Sequence, residues 1–118
     1  MVCELIMSLA DKIKEARKIT VQVGDLTFNA KRATAEEFAR YMSAQTLDAE
    51  VCRYHVTGWS GVKESDLIDD GKDVETPFNR ELFCEIIGDK PEWFSEIAKA
   101  VLADAIERVT ARIENEKK

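Results

Sequence analysis

The spacing of apolar positions changes three times along the chain, and each change predicts a different structural element. From residue 5 to residue 16, apolar side chains recur every three or four positions, which is the spacing of one face of an α-helix. The stretch that begins at Ser8 is close to a capping box, so we expect the regular helix to start there. Met7 would then be the natural first residue, and residues 1–6 an upstream start or an added tag.

Between residues 19 and 31 the spacing becomes two, which predicts a β-hairpin. The apolar residues that alternate with polar ones are Ile19, Val21, Val23, Leu26, Phe28 and Ala30. A two-residue loop at Gly24 and Asp25 would pair the two halves so that all six of these side chains lie on one face. An isolated hairpin is only marginally stable, so we expect this face to pack on the helices or on a neighbouring subunit.

Four helices are predicted after the hairpin, two of them before the next glycine. The segment from Thr34 to Glu37 is a capping box, and the apolar stripe behind it predicts a helix up to a break near residues 46–48. A second, short helix follows through Val51, Cys52, His55 and Val56. We expect it to end at Gly58, with that glycine as the left-handed residue that often closes a helix.

The third and fourth helices follow a long loop. Asn79 suits the N-cap of the third helix, because Phe78 before it and Phe83 after it have the spacing of a hydrophobic staple. Pro91 opens the fourth and longest helix, which we expect to fray over residues 114–118. Its apolar face comprises Phe94, Ile97, Ala98, Val101, Leu102, Ala105, Val109 and Ile113. Such a broad face can belong to the core or can dock a partner helix.

The loop at about residues 58–78 is the most distinctive segment. It begins Gly-Trp-Ser-Gly-Val, runs through an acidic stretch and ends Pro-Phe. Glycines on both sides of a large aromatic side chain allow sharp turns around an anchored tryptophan. The candidates for structural anchors or partner-binding residues are Trp59, Val62, Phe78, Phe83, Trp93 and Phe94. For each of them a place in the core is commoner than an exposed docking position.

These elements predict an α+β fold that is mainly α, with one N-terminal helix, one hairpin and four further helices. The length of 118 residues allows a single domain with a modest core, which we expect to span residues 1–118. Hydrophobic residues make up 45% of the chain and charged residues 34%. These proportions are typical of globular proteins and argue against disorder of the whole chain.

Charge and hydropathy exclude two classes of partner. The 23 acidic residues outnumber the 17 basic ones and give a net charge of −6, whereas binding of nucleic-acid phosphates needs a concentrated Lys/Arg surface. The purely apolar stretches span only a few residues and the first residues include no basic segment, so neither a membrane helix nor a secretory signal is predicted. The three cysteines are odd in number and widely spaced, which suits reduced thiols in the cytoplasm.

Candidate chemistry is sparse. Cys52 and His55 are three residues apart on a predicted helix, and Cys84 could join them in a zinc site, or Cys52 could act as a thiolate nucleophile. A structural zinc site requires four ligands, however, and the chain has one histidine and no Cys-x-x-Cys pair. We therefore expect no catalytic residues, no metal and no cofactor, and treat a small Cys/His metal-binding protein as the less favoured alternative.

Four short segments, taken in order, resemble phage tail assembly chaperones, which act in tail morphogenesis of long-tailed phages and prophages. They are the hairpin from Thr20 to Phe28, the stretch from Gly58 to Val62, the Asp70-Gly71 turn and Pro77-Phe78. The order and spacing of these segments carry the resemblance, which covers nearly the whole chain. The loop at residues 63–76 departs from the family pattern, because it is longer and more acidic.

The resemblance implies a non-catalytic assembly factor. Such chaperones bind the helical tape-measure protein in the host cytoplasm, keep it soluble, help to recruit tail-tube protein and are absent from the mature virion. A homo-oligomer is expected both from the resemblance and from the apolar faces of the hairpin and the last helix. An alternative of a different class is another phage structural component, such as a head-to-tail joining protein.

Overall fold

The structure is a computed structural model that describes residues 8–116. It confirms the α+β, mainly helical fold. The helices are α1 (Leu9–Ala16), α2 (Ala35–Ala44), α3 (Asp48–His55), α4 (Glu64–Leu67), α5 (Arg80–Ile86) and α6 (Pro91–Glu116), with a 3₁₀ turn at Ile87–Asp89. The strands are β1 (Lys18–Val23), β2 (Leu26–Lys31) and β3 (Val56–Ser60). The expectations for residues 1–6 and for residues 117 and 118 lie outside the described residues.

The hairpin forms with the predicted register. Val23 pairs with Leu26 and Val21 with Phe28 across antiparallel β1 and β2. Gly24 adopts a φ of +61° in the two-residue turn, a conformation that glycine reaches at little cost. Val21 and Phe28 are buried on the predicted inner face. The polar residues that alternate with the apolar ones along each strand lie on the outer face, where all but Thr27 are exposed.

The prediction that the second helix ends at Gly58 is wrong. Helix α3 ends at His55, and the next five residues form β3, which pairs antiparallel with β2 and makes β2 the central strand. The register of β3 shifts between Asn29 and Ala30 of β2, so the hairpin belongs to a three-stranded sheet. Within residues 8–116 the glycines with positive φ are Gly24 and Gly61, so the chain turns sharply after Trp59 and not before it.

The predicted helix starts are confirmed by their hydrogen bonds. The side chains of Ser8, Thr34 and Asn79 each accept a hydrogen bond from the backbone N–H three residues later, at 3.0–3.1 Å. The rings of Phe78 and Phe83 lie 5.8 Å apart between centroids, as a hydrophobic staple requires. These contacts satisfy backbone donors that the first turn of a helix leaves free.

Helix α6 closes the core. Its first half packs across α3 and β1, and it buries Trp93, Ile97, Ala98, Val101 and Ala105. Beyond Ala105 the helix continues to Glu116, and the expected fraying of residues 114–118 stays a prediction. The side chains of residues 106–114 are half-buried or exposed, and Arg108 still donates a hydrogen bond to the Ala33 carbonyl oxygen.

Candidate functional site

Trp59 lies at the centre of an aromatic cluster. Its ring centroid is 5.2 Å from that of Phe78, 6.2 Å from Phe83 and 6.5 Å from Phe28, each in an edge-to-face arrangement. The indole Nε1–H donates a hydrogen bond of 2.7 Å to the Thr76 carbonyl oxygen. Trp59 on β3 thus holds the far end of the acidic loop, residues 63–76, to the sheet.

The other predicted anchors extend the same core. Val62 is fully buried, Trp93 is buried with its ring 5.4 Å from Phe28, and Phe94 is half-buried against the cluster. Buried side chains cannot meet a partner without local unfolding, so burial favours the structural-anchor role for Trp59, Val62, Phe83 and Trp93. Phe78 and Phe94 are half-buried and pack against the same core. A docking surface must therefore be sought among exposed residues.

The acidic loop is folded. Backbone hydrogen bonds join Glu64 to Val74 and Thr76 to Val62, and α4 lies between them. Gly71 packs so closely on the α4 backbone that a Cβ atom there would lie 2.3 Å from the Glu64 carbonyl oxygen. Since real atoms do not approach so closely, only glycine fits this position without displacing the backbone.

The outer edge of this loop is acidic and partly apolar. Residues 63–75 include six carboxylates and two lysines, and Lys63 pairs with Asp73 at 2.8 Å. Asp69 and Asp70 are exposed. Ile68 and Val74 are each more than half exposed, so the loop presents aliphatic side chains among negative charges.

The residues of the alternative metal site have other partners. Cys52 donates a weak hydrogen bond to the Phe94 carbonyl oxygen at 3.5 Å, and burial, with a smaller effect of Asp48, raises the pKa of its thiol to about 12. A thiol with so high a pKa stays protonated at neutral pH and is a poor nucleophile. Cys84 is a free, half-buried cysteine. Within residues 8–116 no group of three or more His, Cys, Asp or Glu side chains is arranged to hold a metal ion.

His55 is a fully buried polar residue, and both of its ring nitrogens have partners. Nδ1 lies 2.8 Å from the Lys31 carbonyl oxygen and Nε2 lies 2.7 Å from the Tyr41 hydroxyl. A carbonyl oxygen can only accept, so Nδ1 carries the proton and Nε2 accepts from Tyr41. Burial lowers the pKa of His55 despite the Lys31 carbonyl and the carboxylate of Glu37. The neutral imidazole joins α3, α2 and β2, which is a structural role.

The last turns of α6 expose an apolar stripe that the core does not cover. Ile106 is 50% exposed and Ile113 is 47% exposed. Between them Val109 helps to line a cleft of about 260 Å³ with Ala35, Arg108, Arg112 and Ile113. We call Ile106, Val109 and Ile113 the α6 stripe, since these three apolar residues lie on one face of the helix.

Basic residues collect at one end of the sheet. Lys14, Arg17, Lys18 and Lys31, with Thr57, line a cleft of about 510 Å³, which we call the basic cleft. Lys18 and Lys31 stand directly opposite each other in the register of β1 and β2. Like charges in that position destabilise a sheet. Lys18 is paired with Glu15 at 2.9 Å, so Lys31 is the cation of this pair that an anionic occupant would neutralise.

Helix α1 forms one wall of the basic cleft and is exposed along its whole length. It is tied to the sheet near Arg32, whose backbone N–H donates to the Arg17 carbonyl oxygen at 2.5 Å. The Arg32 guanidinium donates to the Ala16 carbonyl oxygen at 3.4 Å. Ile13 and Leu9 lie one and two turns before Arg17, respectively, on the same helix face, and Leu9 is 73% exposed.

The sequence does not reveal the basic cleft or the partners of the buried histidine. The basic residues are spread over α1, β1 and β2, so only the pairing of the strands brings them together. The Tyr41–His55 pair likewise joins two helices. The two residues are 14 positions apart, and no local spacing marks them as partners.

Among residues 8–116, no helix combines the length and the apolar character that crossing a bilayer requires. Comparison of the chain with protein-family models, with curated proteins and with solved structures finds no match.

Proposed function

We propose that this chain is a non-catalytic phage tail assembly chaperone. In this role it binds the tape-measure protein in the host cytoplasm, helps to recruit tail-tube protein, and is absent from the mature virion. The proposal rests on the order of the hairpin, Gly-Trp-Ser-Gly-Val, Asp-Gly and Pro-Phe segments. It also rests on a surface suited to a helical partner.

The observation that carries the proposal is the uncovered α6 stripe. A helix that presents apolar residues at intervals of three and four, beside a cleft, offers the surface that another amphipathic helix can bind. The cleft beside the α6 stripe is also lined by Arg112, which favours a partner helix with acidic residues beside its apolar face. The other arginine of this cleft, Arg108, is already paired with Asp104. The tape-measure protein is a long helical protein and would supply such a helix.

The buried side chains support a binding role over a catalytic one. Cys52 stays protonated and hydrogen-bonded, and both nitrogens of His55 are occupied within the fold. The six predicted anchors serve the core. In the described part of the chain, function is therefore left to exposed side chains. Among these, the α6 stripe is an apolar set that lies on one face of a helix.

Co-expression tests the proposal. The tape-measure protein encoded beside this chain should be several-fold more soluble with the chain than without it. Ile106→Gln together with Ile113→Gln should lower affinity at least tenfold, because each buried aliphatic side chain contributes about 1.5–3 kcal/mol. Glutamine is a good helix former, so α6 should remain intact.

Met42→Gln is the matched control, since Met42 is a helical residue of 48% exposure outside the stripe. It should leave affinity unchanged. If the wild-type chain does not raise the solubility of the tape-measure protein, the chaperone proposal fails. Detection of the chain in mature virions would instead support the head-to-tail joining protein.

A further inference from the structure

The charges of this protein are segregated at opposite ends of its sheet. The basic cleft lies where β1 begins, β2 ends and β3 begins. The acidic loop follows the end of β3 and lies beside the hairpin turn, where a Cβ on Gly61 would be 3.3 Å from the Asp25 carbonyl oxygen. Strands of five or six residues separate the two by about 17–20 Å, so the loop cannot fill the cleft of its own chain.

The two surfaces are complementary in more than charge. The cleft has four basic side chains, and the exposed Leu9 and Ile13 lie on the α1 face that leads to Arg17. The loop has six carboxylates with exposed Ile68 and Val74 among them. Each surface therefore offers aliphatic side chains beside charges, and the charges have opposite sign.

We propose that the acidic loop of one copy docks in the basic cleft of a second copy, so that the protein associates head to tail. The cleft cannot pair with a second cleft, because that would bring eight basic side chains together. The interface is therefore heterologous, and repetition of one such contact gives a closed ring or an open filament. This inference is independent of the proposed function and concerns a different surface.

Lys31 has a particular part in the docking. It faces Lys18 across the strand pair, and in the described part of the chain it forms no ion pair. Asp69 and Asp70 likewise form no ion pair there and are exposed at the tip of the loop. Their carboxylates are thus available to a cation of another copy, whereas Asp73 is already paired with Lys63.

Two charge-reversal variants test the proposal by sedimentation velocity of the full chain. The cleft variant is Lys14→Glu with Lys31→Glu, and it should fold because the new carboxylate at position 31 faces Lys18. The loop variant is Asp69→Lys with Asp70→Lys. At tens of micromolar and about 50 mM salt the wild type should sediment well above 13.4 kDa, and it should shift toward that mass at about 500 mM salt.

Each variant alone should remain at the monomer mass under the same low-salt conditions. An equimolar mixture should give species of about twice 13.4 kDa or more, because the intact cleft of the loop variant meets the intact loop of the cleft variant, and the reversed loop and the reversed cleft are again opposite in charge. Glu81→Lys with Glu85→Lys is the matched control, with the same change of charge at exposed positions on α5, and it should associate as the wild type does.

Three results would overturn the proposal. The first is a monomeric wild type at tens of micromolar and low salt. The second is a loop variant that associates normally, which would point to a contact between two identical surfaces elsewhere. The third is a mixture that stays monomeric although both variants show the circular dichroism spectrum and unfolding midpoint of a folded chain.

Discussion

Replacement of Trp59 by alanine is the sharpest test of the aromatic core. The side chain is 7% exposed and contacts Phe28, Phe78 and Phe83. Its removal leaves a cavity between the sheet and the loop, and it leaves the Thr76 carbonyl oxygen without its indole donor. Truncation of a buried tryptophan costs about 3–5 kcal/mol, so the free energy of unfolding should fall by that amount.

A second substitution separates the ring from its hydrogen bond. Trp59→Phe keeps an aromatic ring against the cluster but removes the N–H that binds Thr76, so it should cost about 1–2 kcal/mol. The difference between the two variants measures the packing contribution. Tyr54→Ala is the control, because the Tyr54 ring is 53% exposed and its loss should cost well under the value for Trp59.

Urea unfolding followed by circular dichroism is the appropriate assay, since it does not depend on the tryptophan that is removed. Thermal unfolding gives a second readout. For a domain of 118 residues, each kcal/mol lost from the free energy of unfolding lowers the melting temperature by about 4 °C, so Trp59→Ala should lower it by about 10–20 °C. A cost below about 1 kcal/mol would show that Trp59 is not the anchor of the loop. The assignment of the six anchors to the core would then fail at its centre.

Two further predictions concern buried polar and close-packed positions. His55 is the chain's one histidine, and burial holds its folded-state pKa below the unfolded value of about 6.5. Its contribution to stability is therefore complete above that pH and falls below it, by at most about 1.4 kcal/mol per pH unit. Urea titrations from pH 7 to 5 should show this slope in the wild type and lose most of it in His55→Gln, and a flat wild-type profile would contradict the assignment. Gly71→Ala should lower the free energy of unfolding by about 1–3 kcal/mol, because the new Cβ would clash with the Glu64 backbone. Gly88→Ala is the control and should be nearly neutral, because its Cβ would meet only the end of the Arg53 side chain. Equal costs for the two variants would refute the steric argument.

The sequence predicted elements whose signals are local. The hairpin follows from alternation around Gly24 and Asp25, and its register is confirmed. The caps at Thr34 and Asn79 follow from a side chain and a backbone N–H three residues apart. Each signal lies within a window of a few residues, where side-chain periodicity and capping chemistry decide the conformation.

Strand β3 could not be predicted in the same way, because its signal is not local. Val56 and Trp59 are three residues apart, which suggests one helix face, yet both are buried in a strand. The register shift opposite Asn29 and Ala30 explains this. It leaves Thr57 as an extra residue and changes the alternation of inward and outward side chains. Only the pairing with β2 reveals such a shift, and the sequence of β3 alone does not contain it.

The acidic loop and the α6 stripe are held in place by different contacts. The acidic loop is held by Trp59 through Thr76 and by the close approach of Gly71 to α4, so loss of the aromatic anchor should disturb the loop before it disturbs anything else. The α6 stripe belongs to a helix whose first half is fixed by α3 and β1. Under the two proposals, partner binding uses the α6 stripe and self-association uses the acidic loop, so substitutions of exposed residues on one of these surfaces should leave the other property unchanged.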